Sequence, residues 1–370
     1  MYVKHRFQLL QITKDYLCSL TPKFGFNGYG ELIFHRTYSR LRKDGKQENW
    51  ADCIIRVTEG VFSIRKDWYI RNHIDWDEDA WQDYAYGFAK YMFNMYWLPP
   101  GRGLWAMGSD FVYERGSMAL YNCAYTDITD NFSDDFAWMM DSLMHGVGVG
   151  FGPERNDSME LYTPRGYYDF IIPDTREGWV DSQRALLYSY QVPNQKKPRF
   201  IYDQVRRAGL LIKGFGGVSS GPEPLMYLHQ ETERCCQSFR QTKEYDSIRF
   251  KADVGNKEGC CVVAGNVRRS AELLRGKVTD QIFLDLKNYE KYPEREEYGW
   301  MSNNSAVLES DEDFLCLGEI ARRVVERGEP GILNKKNFKY GRIGKYTDIN
   351  REDKAVGLNP CGTRFCHLTW

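Results

Sequence analysis

The chain has 370 residues, 42% of them hydrophobic and 15% aromatic, so it is long enough to bury a large core and too apolar to be disordered. Fifty Lys and Arg against 51 Asp and Glu leave a net charge of −1. That balance excludes a nucleic-acid-coating protein and a polybasic membrane binder, but leaves room for a small local anion pocket.

The first twenty residues mix Lys4, Arg6, Gln8, Gln11, Lys14 and Asp15 with apolar positions, which predicts an amphipathic helix. They lack the continuous apolar stretch of a signal peptide, and no run approaches the ~20 apolar residues of a membrane span. A cytoplasmic chain is expected. Gly25 to Gly30 predicts a turn, followed by helices over Trp50 to Phe62 and Asp77 to Trp97. The second opens on Asp77, Glu78 and Asp79, which suit a helix N-terminus, and stops at Pro99-Pro100. From about residue 116 short apolar runs alternate with helical stretches. Met118 to Tyr125 predicts a buried strand, Asp134 to His145 a helix, and Gly146 to Gly152 a turn. Asp181 to Tyr190, Gly221 to Phe239 and Asp311 to Arg327 predict helices, the last stopped by Gly328. Strands alternating with helices imply an α/β body around a mostly parallel sheet. The expected division is a mainly helical region over 1–115, an α/β body over 116–362, and a separate tail over 363–370.

Ten cysteines are scattered without a C-x-x-C pair or zinc-ligand spacing, so no metal site is expected and a reducing compartment fits. The glycine-dense stretches include Gly146 to Gly152 and Gly214-Phe215-Gly216-Gly217-Val218-Ser219-Ser220-Gly221. Neither is a Walker A loop, and the first lacks the third glycine of the dinucleotide fingerprint. They suit tight turns, or backbone that approaches a ligand where a Cβ would clash. In Cys260 to Glu272 a strand-like run meets Gly265-Asn266 and then Arg268, Arg269 and Ser270 at a candidate helix start. Asn266, Arg268, Arg269 and Ser270 suit a phosphate or carboxylate site, or a turn pinned by Arg–carboxylate pairs; residue types leave both open.

Asn359-Pro360-Cys361-Gly362 places a cysteine in a rigid turn between a fixed-φ proline and a glycine, a geometry that presents a sulfur at a loop tip. Upstream, Asn122-Cys123 ends an apolar run. If the sheet curls into a barrel, the two sulfurs can converge.

Several stretches, in one order along the chain, resemble the adenosylcobalamin-dependent (class II) ribonucleotide reductases, particularly their monomeric ribonucleoside-triphosphate reductases. They are Gly30-Glu31-Leu32, Arg36 to Arg40, Pro100-Gly101-Arg102 with Leu104-Trp105, Asn122-Cys123, Gly146 to Phe151, and Pro173 to Trp179. Gly214 to Pro224, Val262 to Glu272, Ser302 to Ser305, Gly328 to Ile332, Tyr340 to Ile343 and Asn359 to Gly362 continue the series. The resemblance implies a ten-stranded α/β barrel of two half-barrels with a finger loop through its centre, of which this chain holds the first half. It implies that Cys361 becomes a thiyl radical, that Cys123 is one of the reducing pair, and that Asn359 hydrogen-bonds the substrate ribose. Gly214, Phe215, Gly216, Gly217, Ser219 and Ser220 would lie in the loop linking substrate and effector sites. Implied with them are the adenosylcobalamin cofactor, a ribonucleoside triphosphate substrate, a dNTP effector and a thioredoxin-like reductant. No nucleic acid or membrane partner is expected.

The pattern also departs from the family. Thr363 stands where the family has a glutamate acting as acid and base, and a hydroxyl is no substitute for a carboxylate as proton carrier near neutral pH. The usual partner of Cys123 would lie beyond Trp370, and the stretch between Phe151 and Pro173 is shorter than the effector-binding insertion of the monomeric enzymes. The expectation is therefore one part of a reductase, completed by a second polypeptide that supplies the other half-barrel. The alternatives are an inactive truncated product, a nucleotide- or cobalamin-binding module without turnover, or a reductase served by a metal-radical partner protein.

Overall fold

The computed structural model describes residues 2–42, 44–153, 155–210, 218–264, 270–339, 355–361 and 364–365. Two units divide the chain, Met1–Asn122 and Cys123–Trp370. Among the described residues no helix is long and apolar enough to cross a membrane.

The first unit is helical: α1 (Gln11–Ser19), α2 (Tyr29–Thr37), α3 (Trp50–Arg71), α4 (Glu78–Phe93), α5 (Gly101–Ala106) and α6 (Asp110–Arg115). A capping box starts α3: the Asn49 side chain accepts from Asp52 N, and the Asp52 carboxylate accepts from Asn49 N. Asp77 caps α4 by accepting from Ala80 N. The apolar faces then meet, Cys53, Ile54, Val57 and Phe62 of α3 with Ala85, Ala89 and Met92 of α4. Their contact is fixed at one end by the Trp50 indole, which donates to Phe93 O at 2.9 Å.

The amphipathic helix expected over the first twenty residues forms only from Gln11, and the residues before it run extended. The cause is a ladder of polar side chains one turn apart on α3. Asp67 accepts from Lys4 N and His5 N at 2.8 and 2.9 Å, Ser63 from Phe7 N at 3.0 Å, and Glu59 from Leu9 N at 3.1 Å. Backbone donors that a helix would use internally are satisfied by another element.

The second unit contains β1 (Cys123–Ile128), α7 (Phe132–Met144), β2 (Gly148–Pro153), β3 (Tyr167–Ile171), α8 (Arg176–Gln191), β4 (Lys197–Ile201), α9 (Glu223–Gln241) and α10 (Ser247–Val263). It continues with β5 (Glu272–Lys277), α11 (Gln281–Asp285), β6 (Ser302–Leu308), α12 (Leu317–Arg327), β7 (Gly331–Asn334), β8 (Gly357–Leu358) and β9 (Arg364–Phe365). Five strands form one parallel sheet in the order β1-β2-β5-β6-β7. The helical front and parallel α/β body read from the sequence are thus the observed fold class. β3 and β4, which periodicity did not signal, pair parallel in a small second sheet beside α8.

Helix α10 is buried along nearly its whole length although it carries Arg249, Lys251, Asp253, Lys257 and Glu258. Burying such charges requires partners. The fully buried Arg295 pairs with Asp253 and donates to Asn256 Oδ1 at 2.9 Å and to Leu286 O at 2.7 Å. Lys257 meets Glu231 of α9 at 2.8 Å.

Three local expectations are corrected. The predicted strand over Met118 to Tyr125 starts only at Cys123, because Met118–Leu120 close a 3-10 turn after Gly116. The stretch from Cys260, read as strand then helix, is the reverse: it ends α10, and Glu272 opens β5. The predicted turn at Gly146 to Gly152 is largely strand β2, paired on both sides within the sheet.

Candidate active site

The reason for that last difference leads to the site. Gly148, Gly150 and Gly152 alternate with Val149 and Phe151, so the glycines share one face of β2 and the buried apolar side chains share the other. Over the bare face runs β8, which packs against β1, β2 and β5. A Cβ on Gly150 would lie 1.8 Å from Leu358 O and 3.0 Å from Asn359 Cα, so only glycine lets the incoming segment sit this close. On the other side of the contact, a Cβ on Gly357 would meet the Tyr125 ring at 2.1 Å.

β8 and β9 pair antiparallel, Gly357 with Phe365 and Leu358 with Arg364, which makes a hairpin with Asn359, Pro360 and Cys361 in its turn. Asn359 is fully buried, and its Oδ1 accepts from Cys361 N at 3.0 Å. This side-chain-to-backbone bond two residues on holds the turn at the cysteine. Cys361 is exposed and its Sγ lies 2.8 Å from Sγ of Cys123, the first residue of β1, across 238 residues of chain. β1 places Cys123 opposite Gly148 of β2, beside the glycine face that admits the loop.

Beneath the loop lies a buried polar cluster that sequence reasoning missed. The Tyr125 hydroxyl donates to Asp127 Oδ1, while Arg275 of β5 donates to the Tyr125 hydroxyl and, at 2.5 Å, to Asp127 Oδ1. Burial pushes the Tyr125 hydroxyl well above its ordinary range, so it stays a neutral donor. Asp127 and Arg275 are 148 positions apart.

The remaining candidates are distributed. Ser219 is a turn residue: its hydroxyl accepts from Gly221 N at 3.0 Å, and its backbone exchanges hydrogen bonds with Gly209 and Leu210. Ser220 follows it, partly buried. Gly214, Phe215, Gly216 and Gly217 lie outside the described residues, as do Asn266, Arg268, Arg269 and Thr363. Ser270 is described, and its hydroxyl donates to Leu143 O at 2.6 Å, tying the start of β5 to the end of α7. In the Pro173 to Trp179 segment, Thr175 caps α8 by accepting from Gly178 N at 2.9 Å, and Asp174 takes a bidentate contact from Arg206 Nε at 2.8 and 3.0 Å. That pair anchors the base of the loop that leads to Ser219. Among the described residues no group of three or more His, Cys, Asp or Glu is placed to hold a metal ion.

Chemically, the arrangement is a thiol on an exposed loop tip touching a second thiol fixed in a sheet, with the loop seated on glycine. A family model described as the ribonucleotide reductase alpha domain matches residues 12–109, and one for the B12-dependent ribonucleotide reductase insertion domain matches residues 149–235. The adenosylcobalamin-dependent ribonucleoside-triphosphate reductase of Euglena gracilis is 38% identical over 92% of this chain and 47% of its own length. A probable enzyme of the same name from Dictyostelium discoideum is 35% identical over 98% of this chain and 50% of its own. The crystal structure of a B-12 dependent (class II) ribonucleotide reductase superposes with a TM-score of 0.76 at 27% identity, covering 96% of this chain and 56% of that one. The chain spans about half the length of the curated relatives it matches.

Proposed function

The chain belongs to the B12-dependent (class II) ribonucleotide reductase family, and we propose that it supplies the radical-bearing half of an active site that converts ribonucleoside triphosphates to 2′-deoxyribonucleotides. The observation that carries this reading is the contact of Cys361 and Cys123 over the glycine face of β2. In this reading Cys361 takes the 3′ hydrogen of the ribose, and Cys123 is one of the two thiols whose electrons replace the 2′ hydroxyl, lost as water. Asn359 holds the turn so that the sulfur leads, and in this reading it also hydrogen-bonds the ribose. Tyr125, Asp127 and Arg275 support the loop from below.

The cofactor of this reading is adenosylcobalamin. Cys361 would face it, and an exposed sulfur at a loop tip fits a bulky group that must reach the reacting atom. When bound, the cofactor supplies the unpaired electron that the thiol passes to substrate. The match to the B12-dependent insertion domain favours this class over one served by a metal-radical partner. The reading also includes a dNTP effector, a thioredoxin-like reductant, and a polypeptide that completes the barrel. β7 supports the last, since among the described residues it lies at the end of the sheet with Ile332 exposed.

The test combines this chain with the C-terminal half of a relative, adenosylcobalamin, a ribonucleoside triphosphate and a dithiol. Deoxyribonucleotide formation that disappears with Cys361→Ser is expected. Formation that survives the substitution would remove the radical assignment.

A further inference from the structure

The two thiols of the site are placed for a second chemistry that needs neither cofactor nor nucleotide. Their sulfurs are 2.8 Å apart, and a disulfide needs ~2.0 Å, so closure asks for a shift of under ~1 Å. Access is unequal. Cys361 is exposed and Cys123 half-buried, whereas Cys53, Cys235, Cys236 and Cys261 are buried. Cys18 is exposed as well, but of the two thiols in contact an oxidant from solvent meets Cys361 before Cys123 and finds Cys123 already within reach as the resolving thiol.

We propose that Cys361 and Cys123 form a peroxide-sensitive couple, closing to an intramolecular disulfide that pins the loop tip to the start of β1 and caps the exposed thiol. The Cys361 thiolate attacks one oxygen of hydrogen peroxide, so that an S–O bond forms, the O–O bond breaks and water leaves after protonation. The Cys123 thiolate then attacks the Cys361 sulfur; the S–S bond forms, the S–O bond breaks and a second water leaves. Two thiols lose two electrons and two protons, and one peroxide becomes two waters. A dithiol reverses the change by exchange. The Asn359 bond to Cys361 N already holds the turn in the geometry the disulfide would keep. That closure switches activity off rests on the functional reading above; the couple itself rests on geometry alone.

The test treats the chain with hydrogen peroxide, blocks remaining thiols and maps tryptic peptides without reductant. Cys123 is the single cysteine of the peptide 116–155 and Cys361 of the peptide 355–364, so a linked pair lighter by two hydrogens identifies the bond. The linked pair should dominate, vanish with dithiothreitol, and be replaced in Cys123→Ser by a sulfenic acid on Cys361 that dimedone traps. Both peptides recovered as blocked thiols, or Cys361 oxidised beyond sulfenic acid while Cys123 stays a thiol, would overturn the couple. Activity of the completed enzyme gives an independent arm. Loss of most deoxyribonucleotide formation on oxidation, restored by dithiol, is expected, and a linked enzyme that keeps full activity would overturn the switch. A mapped disulfide in an enzyme inactive in both redox states would sustain the couple and count against the functional reading.

Discussion

The two units solve the problem of a buried interior in opposite ways. In the helical unit the core cluster is apolar, built from Phe7, Leu17, Phe34, Ile54, Phe62 and Met92; its buried Ser63 and Asp67 accept from backbone, and buried Glu48 pairs with Arg56 at 2.6 Å. In the sheet unit the interior helix α10 carries charge on Arg249, Lys251, Asp253, Lys257 and Glu258, and strand β2, paired on both sides, gives up side chains altogether at Gly150 and Gly152. The apolar cluster of the first unit is held mainly by filled volume. The second needs particular partners and particular absences, and the reactive loop rests on it. Sites that depend on specific pairing break when one partner is removed, whereas apolar packing degrades in proportion to the volume lost.

That contrast can be tested by substitution. Arg295→Met should have an effect as large as any, costing about 3–5 kcal/mol, because it strips a cation from the buried Asp253 and leaves Asn256 short of a donor. Phe62→Ala in the helical unit should cost about 3–5 kcal/mol by opening a cavity, and restoring volume with Leu should recover part of it. Refilling volume should not rescue the Arg295 variant. Urea unfolding followed by circular dichroism reads both. Gly150→Ala should cost less overall, about 1–3 kcal/mol from overpacking. Its sharper consequence is local: the new Cβ would strike Leu358 O, lift the hairpin and separate the two sulfurs. The rate of dithiol-bridging by an arsenical should fall at least tenfold.

A further test concerns pH. Burial raises the Glu272 carboxyl from 4.5 to about 8, partly offset by Asn256 and Lys287, and burial also raises Glu258. Between those values the folded chain holds a proton that the unfolded chain has released. The contribution is therefore fully present below about 4.5 and is lost as pH rises through about 8. Unfolding free energy measured across this window should fall with rising pH, and Glu272→Gln should flatten the slope. An unchanged slope would show that Glu272 titrates normally.

What could be read in the sequence follows the same division. Helices α3 and α4 announce themselves through caps and apolar faces, which are local patterns. The extended run before Gln11 does not, because its acceptors, Glu59, Ser63 and Asp67, lie some fifty or more positions away. The cysteine at a turn is legible because Pro360 fixes φ beside it and a glycine follows it in sequence. Its approach to Cys123 was conditional on the sheet curling. The glycines of β2 suit a turn by residue type; their alternation is the strand signal, and the absent side chains belong to the hairpin that crosses them. Tyr125, Asp127 and Arg275 left no pattern, since a cross-strand cluster has no fixed spacing along the chain.

The central claim is that Cys361 starts the chemistry and Cys123 completes it. The most direct measurement follows a ribonucleoside triphosphate in the completed enzyme carrying either Cys361→Ser or Cys123→Ser. Cys361→Ser should leave the nucleotide intact. Cys123→Ser should consume it without yielding deoxyribonucleotide. Identical behaviour of the two variants, or product from either, would contradict the assignment.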